Sequence, residues 1–277
     1  MDVKKSVTLI SGGSSGIGLA MARLLAAREA NVWLLARDSQ RLAAAVVELE
    51  TLRCSPGQKF GYFSADVTQV DQVIEVVEKV IEADGVPDLL VNSAGAAHPG
   101  AFQNLDLEVF HWMMDVNYYG TINLTKAVLP WMIRRGSGYL VNIASLAGFF
   151  GLYGYTAYSA SKFAVRGFSD ALRCELKPLN IRLSLVFPLD TDTPQLAYEN
   201  QHKPAVTKEI AKIGGPPASA AAVALAILRG IRHERYVIIP GWQGNLLYRL
   251  AGWMGNGVYP IMDWLVSWAQ AKVGRRQ

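Results

Sequence analysis

Cysteine is scarce in this sequence, and the two cysteines are far apart. Cys54 and Cys174 form neither a CxxC pair nor the spacing of zinc ligands. Zinc ribbons, redox motifs and disulfide-rich folds require closely spaced cysteines, so the sequence predicts none of these and no metal site. We expect two reduced thiols in a reducing, cytoplasmic compartment; a single disulfide between them is the alternative.

A strong charge imbalance is also missing. The formal net charge is +4 over 277 residues, and there is no basic tract with interleaved aromatic residues. These absences argue against a nucleic-acid partner. Residues 1–5 lead directly into an apolar strand, so we expect no signal peptide.

Apolar residues are abundant, at 51% of the chain, whereas charged residues make up 18%. This balance excludes a disordered chain. A chain of 277 residues can bury a large core, and one α/β domain of this size is ordinary. We therefore predict a folded α/β protein.

A glycine-rich turn joins the first predicted strand, Val7–Ile10, to a helical pattern over Leu19–Leu25. Glycines let backbone amides approach a pyrophosphate, and a helix N-terminus supplies positive potential. The spacing is GxxxGxG rather than GxGxxG, and a tight turn without a ligand is the alternative. We predict that the turn binds the phosphates of a dinucleotide through Gly12, Ser14, Ser15, Gly16, Ile17 and Gly18.

The end of the second predicted strand indicates which dinucleotide binds. An acidic residue there would hold the ribose 2′-hydroxyl of NAD, whereas an arginine suits the 2′-phosphate of NADP. Ala36 occupies that place, Arg37 follows it, and Arg41 adds a second charge one turn later. Asp38 weakens the inference, and a solvated loop arginine is the alternative. We predict that Arg37 and Arg41 bind the 2′-phosphate.

Two further strand ends supply candidate cofactor contacts. The third predicted strand ends at Asp66-Val67, where the aspartate would hydrogen-bond an adenine amino group, cap the next helix, or do both. The fourth closes on the segment 92–96, whose small residues let a flat ligand lie against the backbone. Asp66, Val67 and Asn92 are therefore candidate cofactor-binding residues, and for Asn92 we favour a structural role between strands.

A tyrosine and a lysine four residues apart, Tyr158 and Lys162, form the candidate reacting centre. On a helix these positions share one face. A free tyrosine has a pKa of about 10, and a neighbouring cation lowers it. Such a pair can pass a proton to or from a substrate oxygen; an ordinary polar pair on a solvated helix face is the alternative.

Ser145 and Asn117 are the other candidate residues of this centre. Ser145 ends the fifth predicted strand, on the sheet edge that carries the glycine turn; a turn or cap role is its alternative. Asn117 interrupts a helical pattern over residues 110–131. Because asparagine is a poor helix-interior residue, we predict a bent helix or a bound water there.

Together these motifs resemble the short-chain dehydrogenase/reductase family in order and spacing, over roughly residues 5 to 195. The resemblance implies a Rossmann-like, doubly wound parallel sheet with helices on both faces. Three departures, Ser11, Ser93 and Leu189, replace a threonine, an asparagine and a glycine that the family usually has. None of them removes a catalytic group.

The resemblance also implies a role for each candidate catalytic residue. Tyr158 would be the acid–base residue, and Ser145 would hydrogen-bond and orient the carbonyl oxygen. Lys162 would hold the nicotinamide ribose and, with the cofactor's positive ring, lower the pKa of Tyr158. Asn117 would position a water between Lys162 and solvent. We count Tyr158 and Lys162 as cofactor-binding as well, and we expect NADPH or NADP as the cofactor.

Further segments resemble the 3-ketodihydrosphingosine reductase branch of the family, among them residues 145–158, 175–178 and 187–204. This resemblance implies NADPH-dependent reduction of 3-ketodihydrosphingosine to dihydrosphingosine in sphingolipid synthesis. One alternative is a reductase of another lipophilic ketone, such as a steroid, a retinoid or an acyl compound. Another is a catalytically silent NADP-binding regulator, which would not require the intact set of Asn117, Ser145, Tyr158 and Lys162.

The C-terminal part of the chain is rich in tryptophan and aliphatic residues but is broken by Arg249, Asp263 and several glycines. No clean apolar run of about 18 residues exists there. We predict a catalytic domain over residues 1–240, with a substrate loop at 188–217, followed by an apolar appendage over residues 241–277.

Two interpretations of this appendage remain open. In one, residues 242–276 contact the cytoplasmic face of a membrane, with tryptophans at headgroup depth beside Lys272, Arg275 and Arg276. In the other, a helical pair packs on the core or on another subunit. The family usually forms dimers or tetramers through helices that correspond to Leu107–Pro130 and Tyr158–Leu176, so a homo-oligomer is expected.

Overall fold

Short apolar and β-branched runs form a parallel sheet at the centre of the molecule. The computed structural model describes residues 1–275. Its strands are β1 (Val7–Ser11), β2 (Asn31–Ala36), β3 (Phe60–Ser64), β4 (Leu89–Asn92), β5 (Gly138–Ile143), β6 (Ile181–Val186), β7 (Thr191–Asp192), β8 (Ala218–Ser219) and β9 (Val237–Ile238). Seven of them form one sheet in the order β3-β2-β1-β4-β5-β6-β9, with every pair parallel. β7 and β8 pair separately.

Helices cover both faces of the sheet. They are α1 (Gly16–Ala26), α2 (Ser39–Thr51), α3 (Val70–Asp84), α4 (Leu107–Met113), α5 (Gly120–Arg135), α6 (Thr156–Leu176), α7 (Pro194–His202), α8 (Ala205–Ala211), α9 (Ala220–Arg232), α10 (Trp242–Met254) and α11 (Val258–Gly274). Residues of α1, α2 and α9 form one apolar core with the sheet, and residues of α3, α5 and α6 form another. The predicted doubly wound α/β fold is confirmed.

The two cores share the strands because successive strand residues point to opposite faces. In β1, Ile10 joins the core with α1 and Leu9 joins the core with α3, and neither is exposed to solvent. Burying each such side chain contributes about 1.5–3 kcal/mol. The strand order reverses between β1 and β4, which opens a crevice at their carboxyl ends.

The helical pattern predicted over residues 110–131 is interrupted at Asn117, where the chain takes a π-helical form over Met114–Tyr119 between α4 and α5. A π-helix widens the turn by one residue, and such turns are frequent at functional sites. The Asn117 side chain hydrogen-bonds outside its own helix, which compensates for the irregular backbone.

The C-terminal helices α10 and α11 pack against the rest of the protein on one side. The Tyr248 ring of α10 lies 4.4 Å from that of Phe149, and Lys272 of α11 pairs with Glu209 of α8 at 3.0 Å. On the other side Trp253 is 86% exposed and Trp264 is 62% exposed. Within residues 1–275, no helix has the length and apolar character needed to cross a membrane.

The contact of Tyr248 with Phe149 is a feature of a helical pair packed on the core, whereas the exposed Trp253 and Trp264 would suit a membrane surface. The division of the appendage from the core at residue 240 stays a prediction. Lys272 is engaged by Glu209 and lies over the Trp268 ring at 4.8 Å, so its ammonium is held by the protein. Arg276, which was grouped with it in the sequence, lies outside the described residues.

Candidate active site

A cavity of about 1420 Å³ runs along the carboxyl ends of the strands. Its wall includes the residues that directly follow β1, β2, β3, β4 and β5, Pro188 after β6, and residues of α10 and α11. Most of the candidate residues line it. These are Gly12, Ser14, Ser15, Gly16, Ile17, Arg37, Arg41, Asp66, Val67, Ser145, Tyr158 and Lys162.

The glycine turn brings the backbone of β1 close to that of β4. Gly12 and Gly16 have φ angles of +66° and +55°, which favour glycine. A Cβ at Gly12 would lie 2.8 Å from the backbone nitrogen of Ala94. Gly18 does not line the cavity; a Cβ there would collide with the carbonyl of Gly12, so its role is close packing of α1 on the turn.

The N-terminus of α1 faces this turn. Its N-cap residue, Ser15, makes no capping hydrogen bond with its side chain, so no side chain caps the first amides of the helix. Amides in this position and the helix dipole together form an anion-binding site. The turn therefore fits the pyrophosphate of a dinucleotide.

The end of β2 offers cations and no free carboxylate. Arg37 and Arg41 are exposed and line the cavity. Asp38 is turned into α2, where it accepts hydrogen bonds from the amides of Gln40 and Arg41. It also pairs with the Arg41 guanidinium at 3.3 Å. Asp38, the residue that argued against NADP, is thus the N-cap of α2.

Asp66 and Val67 line the cavity at the end of β3. The Asp66 carboxylate accepts a hydrogen bond from the Thr68 amide at 2.9 Å, so it stabilises the turn before α3, while the N-cap of α3 is Gln69. The carbonyl of Val67 accepts a hydrogen bond from Asn123 of α5. These contacts fix the loop that would face an adenine.

Asn92 lies beneath the cavity and does not line it. Its amide donates to the hydroxyl of Thr125 at 3.1 Å and to the side-chain oxygen of Asn142 at 2.8 Å. Both partners are buried, so Asn92 ties β4 to β5 and α5. These contacts support the structural role rather than direct contact with a cofactor.

Tyr158 and Ser145 meet at the centre of the cavity. Tyr158 lies in the first turn of α6, and its hydroxyl hydrogen-bonds that of Ser145. The Ser145 hydroxyl also accepts from the Ala147 amide at 3.1 Å, which fixes its position at the start of a short helical turn. The turn role considered for Ser145 is therefore present in its contacts, and its role towards a carbonyl oxygen stays a prediction.

Lys162 lies one helical turn after Tyr158, as its spacing predicts. It is 5% exposed, its ammonium donates to the carbonyl of Ile143 at 3.0 Å, and its nitrogen is 5.7 Å from the centre of the Tyr158 ring. Gly95 faces this ammonium: a Cβ there would lie 3.5 Å from it and 3.1 Å from the side-chain oxygen of Asn117.

Asn117 forms hydrogen bonds next to Tyr158 and Lys162 but outside the cavity. Its side chain accepts from the Ala96 amide and donates to the Ala96 carbonyl and the Ser161 hydroxyl, each at 2.9 Å. These bonds join the π-helical turn to the loop after β4 and to α6. Asn117 does not line the cavity, and its role in positioning a water stays a prediction.

Burial and a nearby carboxylate determine how Tyr158 ionises. Burial raises the pKa of Tyr158, the negative charge of Glu199 raises it further, and hydrogen bonds from Ser145 and Gln195 act in the opposite direction. Burial also lowers the pKa of Lys162 to about 8, because the ammonium is desolvated. The predicted lowering of the Tyr158 pKa depends on Lys162 together with the cofactor's positive ring. Within the protein itself, burial has the largest effect on this pKa, and it raises it.

Three residues of the site were not identified from the sequence. The hydroxyl of Tyr155 donates to the carboxylate of Glu199 at 2.6 Å, and Gln195 donates to the same carboxylate at 3.0 Å. Gln195 and Glu199 are four residues apart on α7, a spacing that puts both on one helix face. Nothing in the sequence indicated that this face turns towards Tyr158.

The residues present fit a dinucleotide. The glycine turn and the start of α1 would hold its pyrophosphate, Arg37 and Arg41 would hold a phosphate at the adenosine end, and Lys162 would hold the ribose beside Tyr158. Gly12 and Gly95 both line the cavity, and close packing against the protein requires glycine there, because a Cβ at either position would meet neighbouring protein atoms at 3.1 Å or less.

Sequence comparison identifies relatives of this chain. The sequence profile described as short chain dehydrogenase matches residues 6–204. The 3-dehydrosphinganine reductase of Danio rerio is 41% identical over 208 residues, which are 75% of this chain and 63% of that protein. The 3-ketodihydrosphingosine reductase of Bos taurus is 40% identical over 74% of this chain and 62% of its own length. That of Dictyostelium discoideum is 36% identical over 83% and 73%.

Solved structures show the same fold. A short chain dehydrogenase/reductase from Burkholderia phymatum in complex with NAD superposes with a TM-score of 0.80 at 23% identity, covering 92% of this chain and 95% of that one. Levodione reductase gives a TM-score of 0.77 at 24% identity, covering 85% of this chain and 96% of that one.

The matched part of this chain spans under two thirds of the length of the Danio rerio and Bos taurus proteins. By its profile match, this chain belongs to the short-chain dehydrogenase family, oxidoreductases that use a nicotinamide cofactor.

Proposed function

We propose that this protein reduces the ketone of 3-ketodihydrosphingosine to the alcohol with NADPH. One observation carries the proposal: the cavity that contains Tyr158 continues into a section with apolar walls from α10 and α11. An alkyl chain whose ketone lies at Tyr158 would be covered there. The apolar residues of this section are Leu246, Leu247, Leu250, Met254, Val258, Ile261, Met262 and Leu265.

The positions of Ser145, Tyr158 and Lys162 support a reduction. A bound nicotinamide would supply the hydride. The Ser145 hydroxyl would hydrogen-bond the ketone oxygen, and the Tyr158 hydroxyl would donate its proton to that oxygen as it becomes an alkoxide. Because burial raises the pKa of Tyr158, its phenol is protonated at neutral pH. The nearby Lys162 would stabilise the phenolate that remains.

The preference for NADPH rests on the end of β2. Ala36 offers no carboxylate to a ribose hydroxyl, Asp38 is occupied by the cap of α2, and Arg37 forms no ion pair within residues 1–275. A free guanidinium matches a phosphate well. The names of the relatives at 36–41% identity support the choice of substrate.

The experiment is NADPH oxidation by the purified protein, followed by absorbance, with and without 3-ketodihydrosphingosine. We expect substrate-dependent oxidation that is faster with NADPH than with NADH. A steroid ketone and a retinal serve as controls of similar apolar character. Turnover of these controls without turnover of 3-ketodihydrosphingosine would contradict the proposal and favour another lipophilic ketone, whereas NADPH binding with no turnover of any ketone would favour a silent regulator.

We also propose that the protein contacts a membrane at its cytoplasmic face through α10 and α11. The exposed tryptophans of these helices suit the interface between headgroups and acyl chains. Helices that line the cavity and contact lipid would give a lipid substrate a short path to Tyr158. The free, exposed thiols of Cys54 and Cys174 are compatible with a reducing compartment.

Association with a second copy is a further proposal. Leu107, Tyr119 and Phe163, which lie on or between α4, α5 and α6, are large apolar residues that are exposed. Burying such side chains is a usual source of stability in dimers and tetramers. Light scattering after size-exclusion chromatography should give a mass above 30.2 kDa. The Phe163→Glu variant should be shifted towards the monomer; a wild-type monomer would contradict the proposal.

A further inference from the structure

A buried carboxylate lies in the cavity wall beside the reacting hydroxyl. Glu199 is 7% exposed and lines the cavity. It is one side chain away from Tyr158, because Gln195 hydrogen-bonds both the Glu199 carboxylate and the Tyr158 hydroxyl. The Tyr155 hydroxyl binds its other oxygen, and the rings of Tyr155 and Tyr158 are 5.7 Å apart.

Only neutral groups bind this carboxylate. Within residues 1–275, Glu199 forms no ion pair; its hydrogen-bond donors are Tyr155 and Gln195. Two other acidic residues near the cavity do form ion pairs with lysines. Asp190 pairs with Lys203 at 3.3 Å, and Glu209 pairs with Lys212 and Lys272. The Lys162 ammonium interacts with the Glu199 charge but forms no ion pair with it, so a cationic ligand in direct contact would offset the remaining desolvation cost of this buried anion.

The proposed substrate carries a cation at the matching place. In 3-ketodihydrosphingosine an ammonium group is attached to the carbon next to the ketone. When the ketone oxygen lies at Tyr158 and Ser145, this ammonium would lie against the part of the cavity wall that contains Glu199. Steroids and retinals carry no cation there, so a carboxylate in this wall would disfavour them.

We propose that Glu199 binds the ammonium group of a 2-amino ketone and so selects this substrate class over neutral lipophilic ketones. The inference rests on the proposed function and adds a specificity residue to it. Tyr155 and Gln195 act as positioning residues, because their hydrogen bonds hold both carboxylate oxygens.

The experiment compares two ketones with the full-length protein and NADPH. One is 3-ketodihydrosphingosine, and the other is the same ketone with hydrogen in place of the amino group. The measured quantity is the ratio of their kcat/KM values. For the wild type we expect a ratio on the order of 100 in favour of the amino ketone, since a buried charge pair at a binding site gives differences of this size.

Substitutions at Glu199 should change this ratio. In Glu199→Gln, which keeps the shape of the side chain, the ratio should fall by about 30-fold or more, mainly through a higher KM for the amino ketone. Glu199→Asp should restore part of the ratio because it restores the charge. Glu48→Gln is the matched control: it makes the same change at a carboxylate that pairs with Arg23 and does not line the cavity, so its ratio should stay within about threefold of the wild type. NADPH binding, measured by fluorescence, checks that each variant is folded.

The outcomes separate this inference from the proposed function. A wild type that favours the amino ketone, together with a Glu199→Gln variant that favours it equally, would overturn the role of Glu199 and leave the proposed function standing. A wild type that reduces both ketones equally well would overturn the inference and leave the proposed function standing, whereas a wild type that does not reduce the amino ketone would overturn the proposed function. If Glu199→Gln fails to bind NADPH, the comparison is made with Glu199→Asp and Glu199→Ala, and an unchanged ratio in the folded variant overturns the inference.

Discussion

Tyr158 is surrounded by groups that favour its neutral phenol. Burial and the charge of Glu199 raise its pKa, while the Ser145 and Gln195 hydrogen bonds only partly oppose them. A neutral phenol is the form required to protonate an alkoxide. At the scale of single residues, the site is thus prepared for reduction, and three predictions follow from individual side chains.

Replacing Tyr158 by phenylalanine removes the proton donor and little else. We expect kcat to fall by about 10²- to 10⁴-fold, the usual contribution of a general acid. The affinity for NADPH, measured by fluorescence titration, should change by less than about threefold, since the neighbouring Lys162 and the glycine turn are untouched. Equal losses of turnover and NADPH affinity would contradict the assigned role.

Replacing Arg37 by serine should weaken NADPH and spare NADH. A hydrogen bond to a charged group contributes about 1.5–3 kcal/mol, so the KM for NADPH should rise by roughly 10- to 100-fold. Arg23→Ser is a matched control, because Arg23 pairs with Glu48 on the surface of α1 and does not line the cavity. If the two variants show the same KM for NADPH, Arg37 does not bind the phosphate.

Replacing Lys162 by methionine should stabilise the protein without its cofactor. Burial lowers the pKa of this lysine from 10.5 to about 8, so the folded protein releases a proton that the unfolded chain keeps between these values. Wild-type stability therefore rises with pH across this window, and below it the buried ammonium is a cost. We expect Lys162→Met to be more stable by about 1–3 kcal/mol at pH 7.

The pH dependence tests this assignment. Urea denaturation at pH 7, 8.5 and 10 should show the difference between Lys162→Met and the wild type decreasing as pH rises. Other titrating groups are common to both proteins, so the difference isolates Lys162. A difference that stays constant with pH would show that lost packing or the bond to the Ile143 carbonyl dominates.

At the scale of elements, the π-helical turn over Met114–Tyr119 connects three parts of the site. Its Asn117 side chain binds the loop after β4 and the Ser161 hydroxyl of α6, while Gly120 at the start of α5 leaves room for Val67. The irregular turn is thus stabilised by tertiary hydrogen bonds rather than by helix propensity.

Removing these bonds should destabilise the fold. Asn117→Ala leaves the Ala96 amide and carbonyl without a partner, and we expect the free energy of unfolding to fall by about 2–5 kcal/mol. Asn123→Ala is the matched control: it removes a single bond, to the Val67 carbonyl, and should cost about 1 kcal/mol. Both are measured by urea denaturation. Equal losses would mean that the Asn117 network adds nothing beyond one ordinary hydrogen bond.

At the scale of the whole molecule, one cavity joins the cofactor end to the C-terminal helices. The same helices that cover its apolar end expose Trp253 and Trp264 on their outer side. Substrate chain and membrane surface would therefore be separated only by the thickness of α10 and α11. Deleting these helices would open the cavity, so surface substitutions give the cleaner test.

Replacing both Trp253 and Trp264 by glutamate should remove membrane binding. Interfacial tryptophans act through partial burial of their rings among headgroups, which a carboxylate reverses. We expect co-sedimentation with vesicles containing anionic lipid to fall by at least about tenfold, with unchanged NADPH binding. Val47→Glu, at an exposed apolar position of α2, is the control. Vesicle binding equal to that of the wild type would contradict the proposed contact.

The fold and most of the candidate site follow from local patterns in the sequence. Apolar runs and helical periods predicted β1 to β5, α1, the helices around Asn117 and α6. The first βα turn identified Gly12, Ser14, Ser15, Gly16 and Ile17, all of which line the cavity. The spacing of Tyr158 and Lys162 placed them together because α6 is regular at that point. These features depend on residues close together in the sequence, so they can be predicted without a structure.

Only the tertiary structure decided which way the remaining side chains face. Asn92 turns towards β5 and α5 and away from the cavity, and Glu199 turns towards Tyr158 although it lies 41 residues later in the chain. The sequence also left open whether the C-terminal helices pack on the core, and the structure shows that they do so and also line the cavity. These features depend on contacts between distant segments, which no local pattern encodes.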